Sequence, residues 1–188
     1  MPPLAFVREV CPGAMQSGVF ADVEGASDLT LLSALQLIRA AVDVPLVATG
    51  GIATGAAVGA VLVAGASAAQ VGTAYLLAAE AGTSEAQRAA VAGDAPTVLT
   101  RAFSGRTARG ITNRWHETHA AAAPRAYPEV HYLTSPLRAH GRKTGDLDLI
   151  NLWAGQAHPL AEPLGAGEIT RRLAADARAA IEAAARRL

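Results

Sequence analysis

Ala48-Thr49-Gly50-Gly51-Ile52 and, about twenty positions later, Gln70-Val71-Gly72-Thr73 decide how this chain is read. Each glycine-bearing cluster ends a short apolar run and precedes a helix-compatible segment. Val44-Pro45-Leu46-Val47-Ala48 is a continuous apolar run, the pattern of a parallel strand covered on both faces. Gly50 and Gly51 lack Cβ, so the chain can turn sharply there and bring its backbone close to a ligand. Ala56 to Ala64 is predicted to be helical, with Thr54 as its N-cap. The exposed N–H groups and positive dipole end of such a helix attract a dianion. In the second cluster Ala68-Ala69-Gln70-Val71 is the expected strand, Gly72 the point of close approach, and Thr73 offers a hydroxyl. Singly, each is an ordinary strand-to-helix turn. Together they are expected to grip one phosphate from two sides, with the backbone of Gly50, Gly51, Gly72 and Thr73 facing a common concave spot.

In (β/α)8 barrels a phosphate site is often built from the loops after the last two strands. The pairing therefore reads as the end of such a barrel, with a flavin mononucleotide (FMN) as the phosphate bearer. Gln70 and Val71 complete the cofactor-binding set, Gln70 toward the flavin ring. The fold class expected is α/β: about the last two strands of a TIM barrel, joined by a right-handed crossover, followed by a C-terminal helical extension.

The rest of the chain is organised around these turns. Asp28 is the expected cap of a helix in which Leu31, Leu35, Ile38 and Val42 recur at helical spacing. A short helix is expected near Tyr75 to Glu80, and another from Glu85 to Val91 after Ser84, ending at Gly93-Asp94. Thr97 to Phe103 is β-branched and apolar, and Ser104-Gly105-Arg106 follows as a turn. Residues 123–166 are rich in Pro, Gly and His and read as mostly irregular. Glu168 to Leu188 is an amphipathic helix with Ile169, Leu173, Ala177, Ile181 and Leu188 on one side. No repeat or linker divides the chain, so residues 1–188 are read as one incomplete domain.

Lys plus Arg equals Asp plus Glu at 16 each, so there is no electrostatic case for nucleic acid or an anionic membrane. The single Cys11 excludes an internal disulfide. No secretion signal opens the chain, which assigns it to the cytoplasm by default. Gly55 to Ala79 is apolar, but Gln70, Thr73 and its glycines favour the strand–helix reading over a membrane span.

Three stretches carry a resemblance to a known family: VPLVATGGIATG, GASAAQVGTAYLLAAEAG and TVLTRAFSGRTARGITN, together spanning Val44 to Asn113. With AYPEVHYLTSPLRA and INLWAGQA further on, the chain resembles the nitronate monooxygenases, also called 2-nitropropane dioxygenase-like proteins, from near Gly18 to the last helix. The first fifteen residues show no such likeness. The resemblance implies an FMN-dependent oxidation of alkyl nitronates by oxygen. It also implies a Gly-Gly-His loop after a sixth strand, whose histidine is the catalytic base. Here Pro12 to Phe20 stands in that region, with Gln16 at the histidine's place. Glutamine exchanges no proton near neutral pH, so base catalysis is lost at that position. Complete barrels need about 250 residues, whereas only about forty precede the Val44 strand here, so a truncated product with impaired activity is expected. Tyr127 and His131 fall where the family places substrate-pocket residues.

Other side chains are weighed against plainer roles. His116 and His119 could share a metal on a helix, but no third ligand sits nearby and a surface pair is the expectation. Arg101, Arg106, Arg109 and Arg114 could reach an anion, though solvated surface or salt bridges fit them better. Trp115 and Trp153 are expected to cover core. The expected partner is a small nitronate or nitroalkane, with self-association or a complementing chain open. The alternatives are a non-catalytic half-barrel and another FMN barrel such as an enoyl reductase.

Overall fold

The structure, a computed structural model, describes the backbone of residues 5–8 and all of residues 29–188. The described chain divides into two compact units, one built from residues 5–8, 29–81 and 160–188 and the other from 82–159.

The first unit holds a parallel sheet of β1 (Ala5–Arg8), β2 (Leu46–Thr49) and β3 (Ala68–Gln70), in that order. The expected parallel pairing of the two glycine-ended strands is present, with Val47 opposite Ala68 and Thr49 opposite Gln70. β1, which the sequence reading did not assign, adds a third strand on the other side of β2, with Ala5 opposite Leu46. Among the described residues this sheet is open and no barrel closes. Leu46 and Ala48 are fully buried while Val47 and Thr49 are half-covered, so β2 alternates rather than being equally covered throughout. Pro45, which has no N–H to donate to a ladder, stands just ahead of the strand.

Helix α1 (Leu31–Ala41) buries Ala34 and Leu35 against β2. Its cap is Thr30, whose side chain accepts from the Ser33 N–H at 3.4 Å; Asp28 lies outside the described residues. Helix α2 (Gly55–Val63) crosses from β2 to β3 and is capped by Thr54, as its sequence predicts. The short helix expected near Tyr75 to Glu80 is instead a single 3-10 turn at Thr73–Tyr75, and no α-helix forms there. The chain takes successive three-residue turns, with Tyr75 N–H to the Gly72 carbonyl, Leu76 N–H to Thr73, Ala78 N–H to Tyr75 and Ala81 N–H to Ala78. The C-terminal helix, named α7 below, runs Ala166–Ala185 and lies along α2. Gly55 and Gly59 permit the close approach: a Cβ on Gly55 would fall 2.7 Å from the Ala177 nitrogen, and one on Gly59 3.1 Å from the Ala177 carbonyl. Ile169 and Ala177 are buried, but Leu188 is fully exposed because the helix ends before it. No described helix is long and apolar enough to cross a membrane.

The second unit contains helix α3 (Glu85–Ala92), capped by Ser84, and an antiparallel hairpin of β4 (Thr97–Thr100) and β5 (Ala108–Ile111). β4 stops three residues short of expectation because the Thr100 hydroxyl takes the Ala102 N–H and bends the chain. The expected turn at Gly105 is present with φ +75°, and a side chain there would collide with the Ala126 carbonyl. Helix α4 (Arg114–His119) follows. Residues 123–166 are more ordered than expected, with α5 (Glu129–Leu133) and α6 (Ser135–Thr144). Pro136 sits in the first turn of α6, where its missing N–H costs nothing. Gly141 lets α6 settle on the next loop, since a Cβ there would lie 3.0 Å from the Asp146 carbonyl.

Buried polar groups tie the loops of this unit together. The Asn113 amide donates to the carbonyls of Leu147 (2.8 Å) and Ile150 (2.9 Å), and its oxygen accepts the His116 N–H that caps α4. The Thr134 hydroxyl donates to the Phe103 carbonyl at 2.6 Å. The His158 ring sits between the carbonyls of Val91 and Ala95. Asn113 supplies the sharpest test. Aspartate caps helices as well as asparagine, yet Asn113→Asp would set a carboxylate against two carbonyls and orphan both. We expect it to destabilise the protein by about 2–4 kcal/mol in urea unfolding. A neutral substitution would show that capping alone is what Asn113 provides.

Candidate functional site

Parallel pairing brings the two glycine turns together. Gly50 and Gly51 follow Thr49, Val71 follows Gln70, and Thr49 and Gln70 are direct neighbours, so both turns leave the same end of adjacent strands. Gly50 and Gly51 have φ of 111° and 66°, conformations that side-chain-bearing residues rarely adopt. Gly72 has negative φ, so its value lies in space instead: a Cβ built there meets no heavy atom within 4 Å. Glycines at co-terminal strand ends leave backbone there bare of side chains, a feature of turns whose N–H groups can approach an anion. Thr73 opens the short turn Thr73–Tyr75 beyond it. The Thr54 hydroxyl already accepts the Ala57 N–H at 3.2 Å, so one amide of the α2 start is taken and the weight falls on the glycines.

Gln70 ends β3 with an exposed side chain. Val71 is half-buried and packs on the core of Leu35, Leu46 and Ile52, so its side chain serves the sheet. Gln16 lies outside the described residues.

Tyr127 and His131 belong to the second unit and stand together there, with ring centroids 6.2 Å apart. Tyr127 is 44% exposed, and the Arg106 guanidinium lies 6.0 Å from its ring centre. His131 has a partner that the sequence gave no sign of. Buried Arg138, seven residues on, directs Nη2 to the His131 carbonyl (2.7 Å) and to its Nδ1 (3.2 Å). Guanidinium only donates, so Nδ1 is the lone-pair nitrogen and Nε2 carries the proton. Burial first, and the Arg138 charge second, hold this imidazole below its ordinary range. His131 is thus set up as a neutral hydrogen-bond donor.

The four arginines are individually engaged. Arg101 donates to the Ala123 carbonyl, Arg109 to Thr97, and Arg114 pairs with Asp148 at 3.5 Å. Trp115 and Trp153 both meet Phe103, at 5.9 and 6.2 Å between centroids, in the core of the second unit. The histidine pair is not a surface pair. His119 is exposed beside Trp115, whereas His116 is only 1% exposed and meets the Phe103 ring edge-on at 5.1 Å. No group of three possible metal ligands occurs among the described residues.

Neither His116 ring nitrogen has a hydrogen-bond partner, and burial pushes its imidazole down to about 4 from 6.5. The Ile111 backbone acts in the opposite direction and is the smaller influence. The folded state therefore holds His116 neutral. Above about pH 6.5 both states are neutral and stability is unaffected; below it the unfolded chain gains a proton that the fold refuses. Stability should fall by roughly 1.4 kcal/mol per pH unit down to about pH 4. Urea midpoints followed from about pH 7.5 to about pH 4.5 should drop more steeply in the wild type than in His116→Phe. Parallel slopes would contradict a neutral buried His116.

Comparison with known proteins bears on the whole of this arrangement. The family model described as nitronate monooxygenase matches residues 10–176, beginning earlier than the likeness from near Gly18 implied. A nitronate monooxygenase of Pseudomonas aeruginosa is 39% identical over 168 residues, covering 86% of this chain and 47% of that protein. A probable nitronate monooxygenase of Staphylococcus aureus (strain Newman) is 38% identical over 143 residues, 72% of this chain and 40% of the relative. The chain thus spans about half the length of the curated relatives it matches. The solved nitroalkane oxidase from Streptomyces ansochromogenes superposes with a TM-score of 0.90 at 43% identity, over 96% of this chain and 53% of that one. FabK from Thermotoga maritima shares the fold alone, with a TM-score of 0.78 at 18% identity. With its family match running from before the glycine turns into the last helix, this chain belongs to the nitronate monooxygenase family.

Proposed function

We propose that this chain carries the phosphate grip of an FMN-dependent oxidation of alkyl nitronates by molecular oxygen. The observation that supports it best is the pair of glycine turns at the same end of β2 and β3, with open space over Gly72. The backbone of Gly50, Gly51, Gly72 and Thr73 holds the phosphate, Val71 contributes backbone, and the Gln70 side chain serves the ring side. FMN held there would supply the redox chemistry between nitronate and oxygen.

The chain's own residues then set which substrate form is used. Tyr127 and His131 receive the substrate, and the His131 Nε2–H donates to an anionic nitronate oxygen. Gln16 stands where the family's base would be and removes no proton. The substrate must therefore arrive already ionised, and a neutral nitroalkane is used worse than its nitronate. Turnover is also weakened because a phosphate grip supplies only part of flavin affinity; the ring needs a preformed wall to desolvate it. Among the described residues β1 and β3 are edge strands of a sheet too small to close. That favours a second reading, in which a complementing chain or a second copy completes the wall. The cytoplasm is the proposed setting.

The test titrates the chain with FMN by flavin fluorescence, then follows oxygen consumption with propyl nitronate and with 1-nitropropane. We expect FMN to bind, turnover to fall well below that of full-length relatives, and the nitronate to be strongly preferred. Equal use of the neutral nitroalkane would remove Gln16 from the account, and turnover matching full-length relatives would overturn the impairment.

A further inference from the structure

We propose that α7 is the positioning element of the phosphate grip, acting through Tyr75, Glu80 and Thr170 to set selectivity for a phosphate-bearing flavin over one without phosphate. The proposal rests on the phosphate reading above. Tyr75 closes the turn that begins at Thr73, and its N–H donates to the Gly72 carbonyl at 2.9 Å. Its hydroxyl lies 2.8 Å from Thr170 Oγ1, a residue 95 positions away on α7. Thr170 donates its single hydroxyl proton to the Ala166 carbonyl at 2.8 Å, so Tyr75 is the donor across the pair.

Glu80 makes the second tie. α7 begins after Gly165, which has no side chain to cap the helix. Glu80 Oε2 accepts the Ala166 N–H at 3.0 Å and serves as a cap from a distant segment. That bond is the main reason its carboxyl sits below the usual carboxylate range, with the Glu80 backbone N–H adding to it. The start of α7 thus holds both ends of the segment that follows Gly72.

The later turns of the same helix hold the other side of the grip. Asp176 and Ala177 pack directly on Gly55, the first residue of α2, which leads out of the Gly50-Gly51 turn. One rigid helix therefore touches the continuation of both turns: residues 166–170 fix the chain beyond Gly72 and Thr73, and residues 176–177 fix the chain beyond Gly50 and Gly51. The β2–β3 pairing sets where the two glycine turns begin, and α7 braces the segments into which both continue, on which two-sided contact with one phosphate depends. Sequence patterning gives no hint of these ties, because Tyr75 and Thr170 are ordinary surface residue types on separate segments.

Thr170→Val, Thr170→Ser and Glu80→Ala are made in the full chain, and two readouts are taken. The first is the affinity ratio of FMN to riboflavin by fluorescence titration. Wild type should prefer FMN, Thr170→Val and Glu80→Ala should each lower FMN affinity by about tenfold while leaving riboflavin binding unchanged, and Thr170→Ser should restore the preference. The second is amide hydrogen exchange of residues 72–78 without flavin, which should quicken in Thr170→Val and Glu80→Ala and return to normal in Thr170→Ser. Unchanged ratios in both disruptive variants overturn the proposal, as does an equal loss of FMN and riboflavin, which marks general loosening. If wild type itself binds riboflavin as well as FMN, the phosphate reading has failed and the proposed selectivity falls with it. The exchange data then decide separately whether α7 holds the turn.

Discussion

Every feature of the candidate phosphate site depends on the parallel pairing of β2 with β3. Parallel neighbours run in the same direction, so when their last residues are paired the turns that follow emerge side by side. Thr49 opposite Gln70 fixes that register to the residue, and the glycines on both chains come next. Antiparallel pairing, or a crossover that shifted register by several residues, would leave the same glycines at separate places with nothing to share. α2 supplies the crossover, and its glycines let α7 lie close enough to brace it. The proposed grip would thus be a consequence of topology, with glycine giving the backbone access that the topology makes useful.

The second unit solves a different problem. It has little sheet and many loops, and loops bring backbone carbonyls into the interior that need donors. Asn113, Thr134 and Arg138 provide them, each from a buried side chain to carbonyls 7 to 37 residues away. Arg138 has a further consequence, because its contact with His131 decides which ring nitrogen of that histidine carries a proton. A structural donor thereby fixes the chemical character of a candidate substrate contact. His116 is the exception, buried on apolar rings with both nitrogens unpaired, and it makes the unit sensitive to acid.

Much of the first unit was legible because its signals are local. Thr54 caps the helix it precedes, as Ser84 does in the second unit, and the apolar period of α1 and α7 marks their buried faces. The two glycine turns could be paired on paper because each follows a strand-like run. What failed depends on partners distant in sequence. Four residues of β1 carry no signal except the edge of β2 they pair with. Pro136 and Gly141 look like loop residues until their places in α6 are seen. His116 and His119, three apart on one short helix, differ completely in burial because Phe103 covers one face. The site was half legible for the same reason: Gly50, Gly51, Gly72 and Thr73 announce themselves, whereas Tyr75, Glu80 and Arg138 gain roles only through tertiary contacts.

The central claim is that two turns share one phosphate, and amide chemical shifts read it directly. The 15N-labelled chain would be titrated with FMN and with inorganic phosphate while the resonances of Gly50, Gly51, Gly72 and Thr73 are followed. The account predicts that all four move together and fit one dissociation constant for each ligand, with FMN binding the tighter. Movement at only one turn, or separate constants for the two, would contradict a shared site.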